Sequence, residues 1–396
     1  MASEVTRIAL SGYYGFNNSG DEAVLLSILT ALERAGEQAG LKIEPVVLSG
    51  DPATTTRLYG VQAVHRMKPG DLLGAIRSCD GLISGGGSLL QDATSSKTIP
   101  YYLAVLKLAQ WFRKPTFIYA QGVGPVQRES FYPYIRHVFS RCAYISVRDN
   151  ESAELLARMG LQRDRTNVVP DPVMGLRLPA AESGDDDVRA LDELPMGAER
   201  GLDEAGRPYV GVSLRFWSED RTDMMAIADM LKRVCRARAL HLRFLPFHGQ
   251  ADEEASRFVM ERLEGEIPSG PSEKNDSSVM SLCAALEHPQ AMLREVSQCR
   301  VLVGMRLHSL IYAAAQEVPM LGISYDPKID QFLHRLNLKA IGSTARLDAS
   351  AAADAILHSL EHVDAWRSEH HQVISALKQE AEQPAQQVAA WLRHKK

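Results

Sequence analysis

The feature that most restricts the fold is a repeated unit, in which a short apolar run leads through a polar or glycine-rich turn into a segment with helical spacing of apolar positions. Residues 6–10, 45–48, 81–84, 116–119, 144–147 and 168–169 read as strands, with helical patterns over 70–78, 101–111, 131–141 and 150–159. Strands this apolar are covered on both faces, which means parallel β/α units. The alternation resumes with strands over 209–214, 241–245, 301–303 and 320–323 and helices over 223–238, 252–263 and 309–316. At 396 residues the chain is longer than one core usually serves. Between the two runs, residues 177–208 are acidic and rich in Gly and Pro, a domain boundary by composition. The expected class is therefore α/β. Two doubly wound domains, 1–176 and 209–375, are joined by a linker over 177–208 and followed by a helical tail over 376–396, interrupted at Pro384.

Composition removes several kinds of function. A net charge of -5 argues against bulk binding of nucleic acid. The five cysteines are scattered, with no CxxC and no zinc spacing, so they read as free thiols of a reducing compartment. The first residues show no signal-peptide pattern and no run of about 18 apolar residues occurs, so a cytoplasmic protein is expected. Asp185, Asp186 and Asp187 read as solvated linker, and no His/Cys/Asp/Glu cluster has ligand spacing, so neither metal nor cofactor is expected. The basic end, Trp391 to Lys396, suits a frayed helix terminus or a lipid headgroup surface.

The turns carry the chemistry. Arg306 and His308 follow the apolar run 301–303, at the carboxyl end of a strand, where open α/β sheets bind ligands. An arginine offers a planar fork of donors for carboxylate or phosphate, and a histidine moves protons near neutral pH. A buried Arg bonded to carbonyls with a His capping the helix is the structural alternative. Arg148 ends another strand. Gly85, Gly86, Gly87 and Ser88 end the strand 81–84, and Gln121 and Gly122 end the strand 116–119. Asn18 and Ser19 precede Asp21 and Glu22 at a helix start, which explains Asp21 as well as a ligand does. In the second half, Arg215, Trp217, His248 and Asp252 lie just past strands.

The segments GYYGFNNSGDEAVL, SGGGSLLQD, QGVGP, SVRDNES, PDPV, MRLHSLIYAAAQEVP and SYDPK, taken in this order, resemble the blocks of the polysaccharide pyruvyltransferase family, from about residue 8 to 333. The pattern is closest to the bacterial cell-wall members, which modify the secondary polymer that anchors surface-layer proteins. The resemblance implies two Rossmann-like domains facing across a cleft, as in glycosyltransferase-B enzymes. It implies phosphoenolpyruvate as donor and co-substrate, and as acceptor a sugar on a lipid-linked oligosaccharide, N-acetylmannosamine on a lipid diphosphate for the cell-wall type. The product would be a cyclic pyruvate ketal, formed at the inner face of the membrane, where a peripheral contact is an open option. Arg148, Arg306 and His308 match the family's donor and catalytic positions, with Lys328 added for departing phosphate. Asn18, Asp21, Gly86, Gly87, Gln121 and His248 are candidates for the acceptor. Two other readings stay open: a nucleotide-sugar glycosyltransferase of the same fold, for which Asp326 would meet ribose hydroxyls, and a non-catalytic glycan-binding protein.

Overall fold

The computed structural model describes residues 5–16, 18–92, 95, 97–178, 201–265, 267 and 277–395. Residues 179–200, most of the expected linker, and residues 268–276 lie outside the described residues. The chain divides into two compact units, Met1–Leu176 with Leu377–Lys396, and Arg177–Ala376.

The first unit runs β1 (Val5–Ser11), α1 (Ser19–Ala39), β2 (Lys42–Ser49), α2 (Pro52–Tyr59), β3 (Gln62–His65), α3 (Pro69–Ser78), β4 (Gly81–Gly85), α4 (Thr98–Trp111), β5 (Thr116–Gln121), α5 (Tyr132–Phe139), β6 (Tyr144–Val147), α6 (Asn150–Arg158) and β7 (Asn167–Val168). Its sheet is parallel, in the order β3-β2-β1-β4-β5-β6-β7. The second unit runs β8 (Tyr209–Ser213), α7 (Thr222–Ala237), β9 (His241–Phe244), α8 (Gly249–Leu263), β10 (Val279–Leu282), α9 (Pro289–Ser297), β11 (Val301–Gly304), α10 (Leu307–Ala315), β12 (Met320–Ser324), α11 (Pro327–Arg335), β13 (Gly342–Ser343) and α12 (Ala349–Glu361). Its parallel sheet has the order β10-β9-β8-β11-β12-β13. The chain reverses its direction of growth between β1 and β4 in one unit and between β8 and β11 in the other. Both are Rossmann-like, doubly wound sheets.

Burial explains why these strands form. β4, β5 and β11 are buried along their whole length, as strands with helices on both faces must be. Asn18, Asp149, Asp326 and Asp348 each accept a backbone N–H at the start of α1, α6, α11 and α12, so polar residues of the turns set the helix starts.

The tail corrects an expectation. A single helix, α13 (Val363–Lys395), passes through Pro384 without a break. Proline removes one helical bond and crowds the preceding turn, yet Ala381, Ala385, Val388, Ala389 and Leu392 are all buried on one face. Their packing holds the turn together. Trp391 meets Phe117 edge to face at 5.4 Å, and Glu382 pairs with Arg34 at 2.7 Å, so the end of the chain belongs to the first unit's core. Neither fraying nor lipid accounts for Trp391.

Gly86 and Gly87 leave β4 with φ of +67° and +62°. A Cβ on Gly86 would lie 1.7 Å from Val24 Cγ1, and one on Gly87 2.7 Å from Asp21 Oδ1. The close approach that needs glycine here is to α1. Gly86→Ala combines a left-handed backbone, ~1–2 kcal/mol, with overpacking of ~1–3 kcal/mol. Its melting temperature is expected to fall by several degrees, and Val24→Ala in the same chain should recover part of the loss. An unchanged melting temperature for Gly86→Ala would contradict this packing.

Candidate active site

Ligands of open α/β sheets bind beyond the carboxyl ends of the strands where the winding reverses. In the first unit that place lies between the loops leaving β1 and β4. Asn18 caps α1 through Gly20 N at 3.1 Å, and its amide donates to Asp21 Oδ2 at 2.6 Å. The cap is thus Asn18, which leaves Asp21 a partly accessible carboxyl. Burial pushes the Asp21 pKa up to about 7, against the pull of Arg148 and with the help of Glu22 and Asp171. Such a group exchanges protons near neutral pH.

Arg148, which leaves β6, is buried. It donates to Ser88 Oγ at 2.8 Å and to Asp171 Oδ2 at 3.3 Å, and its Nε lies 3.7 Å from Asp149. Gly122 is packed so tightly under it that a Cβ there would fall 2.9 Å from Nε. The guanidinium is therefore fixed in place beside the loop that carries Gly86 and Gly87. Gln121 has no solvent exposure; its Oε1 accepts from Ser84 at 3.3 Å and its Nε2 is buried with no hydrogen-bond partner.

In the second unit the reversal lies between the loops leaving β8 and β11. Arg306 is the N-cap of α10, and His308, partly buried, is in the helix's first turn. The sequence placed His308 in the turn before the helix. The helix begins at Leu307 because Arg306 is the last residue with extended torsions. Arg306 grips Asp252 with two parallel bonds, Nε to Oδ2 at 2.9 Å and Nη2 to Oδ1. Asp252 is fully buried and also accepts the backbone N–H groups of Phe247 and His248, at 3.2 and 2.9 Å. The Arg306 fork, expected to be open for a ligand, is thus half occupied by a carboxylate. Nη1 and the second Nη2 proton remain for an anion, beside the positive end of a helix.

Around this pair lie groups that the sequence did not bring together. Arg215 donates to Tyr325 Oη at 2.8 Å, and its guanidinium carbon lies 4.7 Å from the centre of that ring. Trp217, half exposed, packs at 4.6 Å from Tyr325. Arg215 Nε is buried with no hydrogen-bond partner. His248 is exposed at the start of α8; partial desolvation and the cations Arg306 and Arg215 lower its pKa, against Asp252. Lys328 is partly buried in the first turn of α11, and Asp326 Oδ1 accepts its backbone N–H at 3.0 Å. Asp326 is thereby engaged as a helix cap. Among the described residues, no group of three or more His, Cys, Asp or Glu is arranged to hold a metal ion, and no helix is long and apolar enough to cross a membrane. The described cysteines are all free.

Two Rossmann-like domains of the glycosyltransferase-B kind agree with solved structures of similar fold. The UDP-GlcNAc 2-epimerase of Methanocaldococcus jannaschii has a TM-score of 0.60 at 11% identity, covering 90% of this chain and 92% of that one. The Neisseria meningitidis UDP-GlcNAc 2-epimerase bound to UDP-GlcNAc has 0.59 at 9%, covering 93% and 94%. HepE of Anabaena, in complex with UDP and glucose, has 0.58 at 10%, covering 98% and 99%. At such identities the likeness is one of fold. The polysaccharide pyruvyl transferase family matches residues 18–327, and the chain belongs to that family. No curated protein matches it in sequence.

Two outcomes follow from the geometry. Removing one partner of a buried ion pair costs ~3–5 kcal/mol, so Asp252→Asn should lower the melting temperature markedly, and Arg306→Lys, which keeps the charge but loses the fork, should not restore full stability. A melting temperature for both variants within about a degree of the parent would refute the pairing. For Asp21 the folded pKa of about 7 exceeds the ordinary 3.8. The folded state then binds the proton more tightly, so Asp21 costs nothing at low pH and increasingly destabilises the fold as pH rises from about 4 to 7. Asp21→Asn should therefore raise the melting temperature above pH 7, with the difference vanishing near pH 4. A difference independent of pH would contradict the shift.

Proposed function

We propose that this chain transfers pyruvate from phosphoenolpyruvate to two hydroxyls of one sugar, closing a cyclic ketal and releasing phosphate. The observation that carries the reading is the group Arg306, Asp252 and His308 in a member of a pyruvyl transferase family: a cation held rigidly by a buried carboxylate, two residues from a proton carrier at a helix start. The donor is a trianion. Arginines fixed by their own carboxylates keep their remaining donors aimed, which favours bidentate or charge-assisted contacts to carboxylate and phosphate. Arg148, Arg306 and Lys328 are assigned to donor binding, with no metal required, because the guanidiniums supply the positive charge.

In the proposed reaction His308 gives its proton to C3 of the enol phosphate, and C2 becomes the electrophile. One sugar hydroxyl adds there, phosphate leaves, and the second hydroxyl attacks the resulting cation. Two hydroxyl protons are released in all. One replaces the proton spent on C3, and the other departs with phosphate. Asp21, with its proton affinity matched to neutral pH, is suited to receive a proton from an acceptor hydroxyl. The acceptor is read as N-acetylmannosamine on a lipid-diphosphate precursor of a cell-wall polymer, from the resemblance to cell-wall members of the family. The enzyme is placed by this reading in the cytoplasm. The capping role of Asp326 weakens the nucleotide-sugar alternative, which needs that carboxylate for ribose.

A positioned acid contributes ~10²- to 10⁴-fold in rate. His308→Gln should lower kcat by ~10²-fold or more while phosphoenolpyruvate still raises its melting temperature, and a UDP-sugar should raise neither that variant's nor the parent's. Half the parent kcat in a folded His308→Gln chain would move the acid role elsewhere, with His248 the first candidate; stabilisation by the UDP-sugar alone would overturn the reading.

A further inference from the structure

One face of the first domain is cationic in a chain whose net charge is -5. Neither residues 98–114 nor residues 132–144 include an Asp or Glu, and together they carry Lys107, Arg113, Lys114, Arg136, His137 and Arg141. The helices α4 and α5 bring these stretches together. Lys107 Nζ lies 3.0 Å from His137 Nε2, and Arg141 Nη1 donates to the His137 carbonyl at 2.7 Å. Besides desolvation, the charges that lower the His137 pKa are both cations, Arg141 and Lys107. Among the described residues, no carboxylate is among the charges acting on His137.

The same face carries aromatic rings. Trp111 lies one turn beyond Lys107 on α4, and Tyr134 one turn before His137 on α5, so each ring continues the face on which the Lys107–His137 contact is made. At 71% and 64% exposure they are the two most exposed aromatic rings among the described residues. On α5 itself opens a cavity of about 560 Å³, lined in part by Arg136, His137, Ser140, Gln162 and Arg165. Arg165 is committed to the Ser140 and Cys142 carbonyls, at 2.8 and 2.9 Å, which leaves Arg136 and His137 as the adaptable groups of its rim.

We propose that this α4/α5 face docks the protein on an anionic lipid bilayer, with Trp111 and Tyr134 at headgroup depth and Lys107, Arg136 and Arg141 against lipid phosphates. Tryptophan and tyrosine favour the boundary between headgroups and water, and basic side chains are drawn to an anionic leaflet within a Debye length. A second copy of the chain is a poor occupant, since a two-fold contact would set Lys107, Arg136 and Arg141 against their own copies. The inference rests in part on the reading of a lipid-linked acceptor, which would be presented at such a surface.

The test is co-sedimentation of the full chain with phosphatidylcholine vesicles, with and without phosphatidylglycerol, and no phosphoenolpyruvate present. Binding should be at least ~10-fold stronger to the anionic vesicles and should weaken with added salt. Trp111→Ser with Tyr134→Ser, and separately Lys107→Gln with Arg136→Gln and Arg141→Gln, should each reduce it ~10-fold or more, with melting temperatures near the parent's. Both sets should keep turnover of a water-soluble acceptor and lose turnover of a vesicle-borne one. Equal binding to neutral vesicles, no binding by the parent, undiminished binding by both variant sets, or binding to soluble heparin but not to vesicles would each overturn the proposal. Because the vesicle assay needs no donor chemistry, a chain that binds anionic vesicles yet transfers no pyruvate would overturn the proposed function and leave this surface standing.

Discussion

The ion pair between Arg306 and the buried carboxylate of Asp252 is the interaction on which the second domain's candidate site depends. An arginine at the tip of a strand-to-helix turn would otherwise be a long, mobile side chain, and ordering it on each encounter with an anion would cost entropy. Asp252 removes that cost in advance. It does so from the start of a different helix, α8, where it also ties down the backbone of Phe247 and His248. One carboxylate thereby fixes one loop and the guanidinium of another. A buried pair of this kind adds little to stability by comparison with apolar packing, so its value lies in the fixed direction of the donors that remain.

The first domain repeats the device with other residues. Arg148 is held by Ser88 and Asp171 beyond the ends of β4 and β7. The two sheets share one winding order; Arg306 follows a strand at the reversal, where loops diverge and leave room for a ligand, while Arg148 leaves β6, two strands away, and reaches Ser88 past β4. Beside Arg148, the carboxyl of Asp21 is kept from ordinary ionisation by burial, with nearby Glu22 and Asp171 opposing a further negative charge. A fixed cation beside a carboxyl of raised proton affinity, in one loop cluster, is what marks this place as a candidate site.

Much of this was legible in the sequence, for reasons particular residues make plain. The central strands were found because they are buried on both faces, so their apolar runs are continuous. β3 and β10 were missed: both are short edge strands with half-exposed positions, and they lack that signal. Pro384 misled because local propensity yields to packing of the five buried residues around it. Arg148 and Arg306 were visible as charges at strand ends. Their pairing was not: Asp252 stood out past its strand, but it lies 54 residues from Arg306, as Asp171 lies 23 from Arg148, and nothing local marks such a pair. Asp21 read as a helix-start acid, and it does lie in the first turn of α1 behind the Asn18 cap; its raised pKa comes from burial, which the sequence does not mark. The glycines after β4 signalled a close backbone approach, and in the structure the space a Cβ would take at Gly86 and Gly87 is filled by Val24 and Asp21 of α1.

The central claim is that the fixed arginines and His308 serve the transfer of pyruvate from phosphoenolpyruvate to a sugar. It is tested most directly by mass spectrometry of a synthetic lipid-diphosphate disaccharide ending in N-acetylmannosamine, incubated with the purified protein and phosphoenolpyruvate. The account predicts that the acceptor gains the mass of pyruvate less one water, with one phosphate released for each ketal formed. An acceptor unchanged by phosphoenolpyruvate but lengthened by one sugar when a nucleotide sugar is supplied would contradict it.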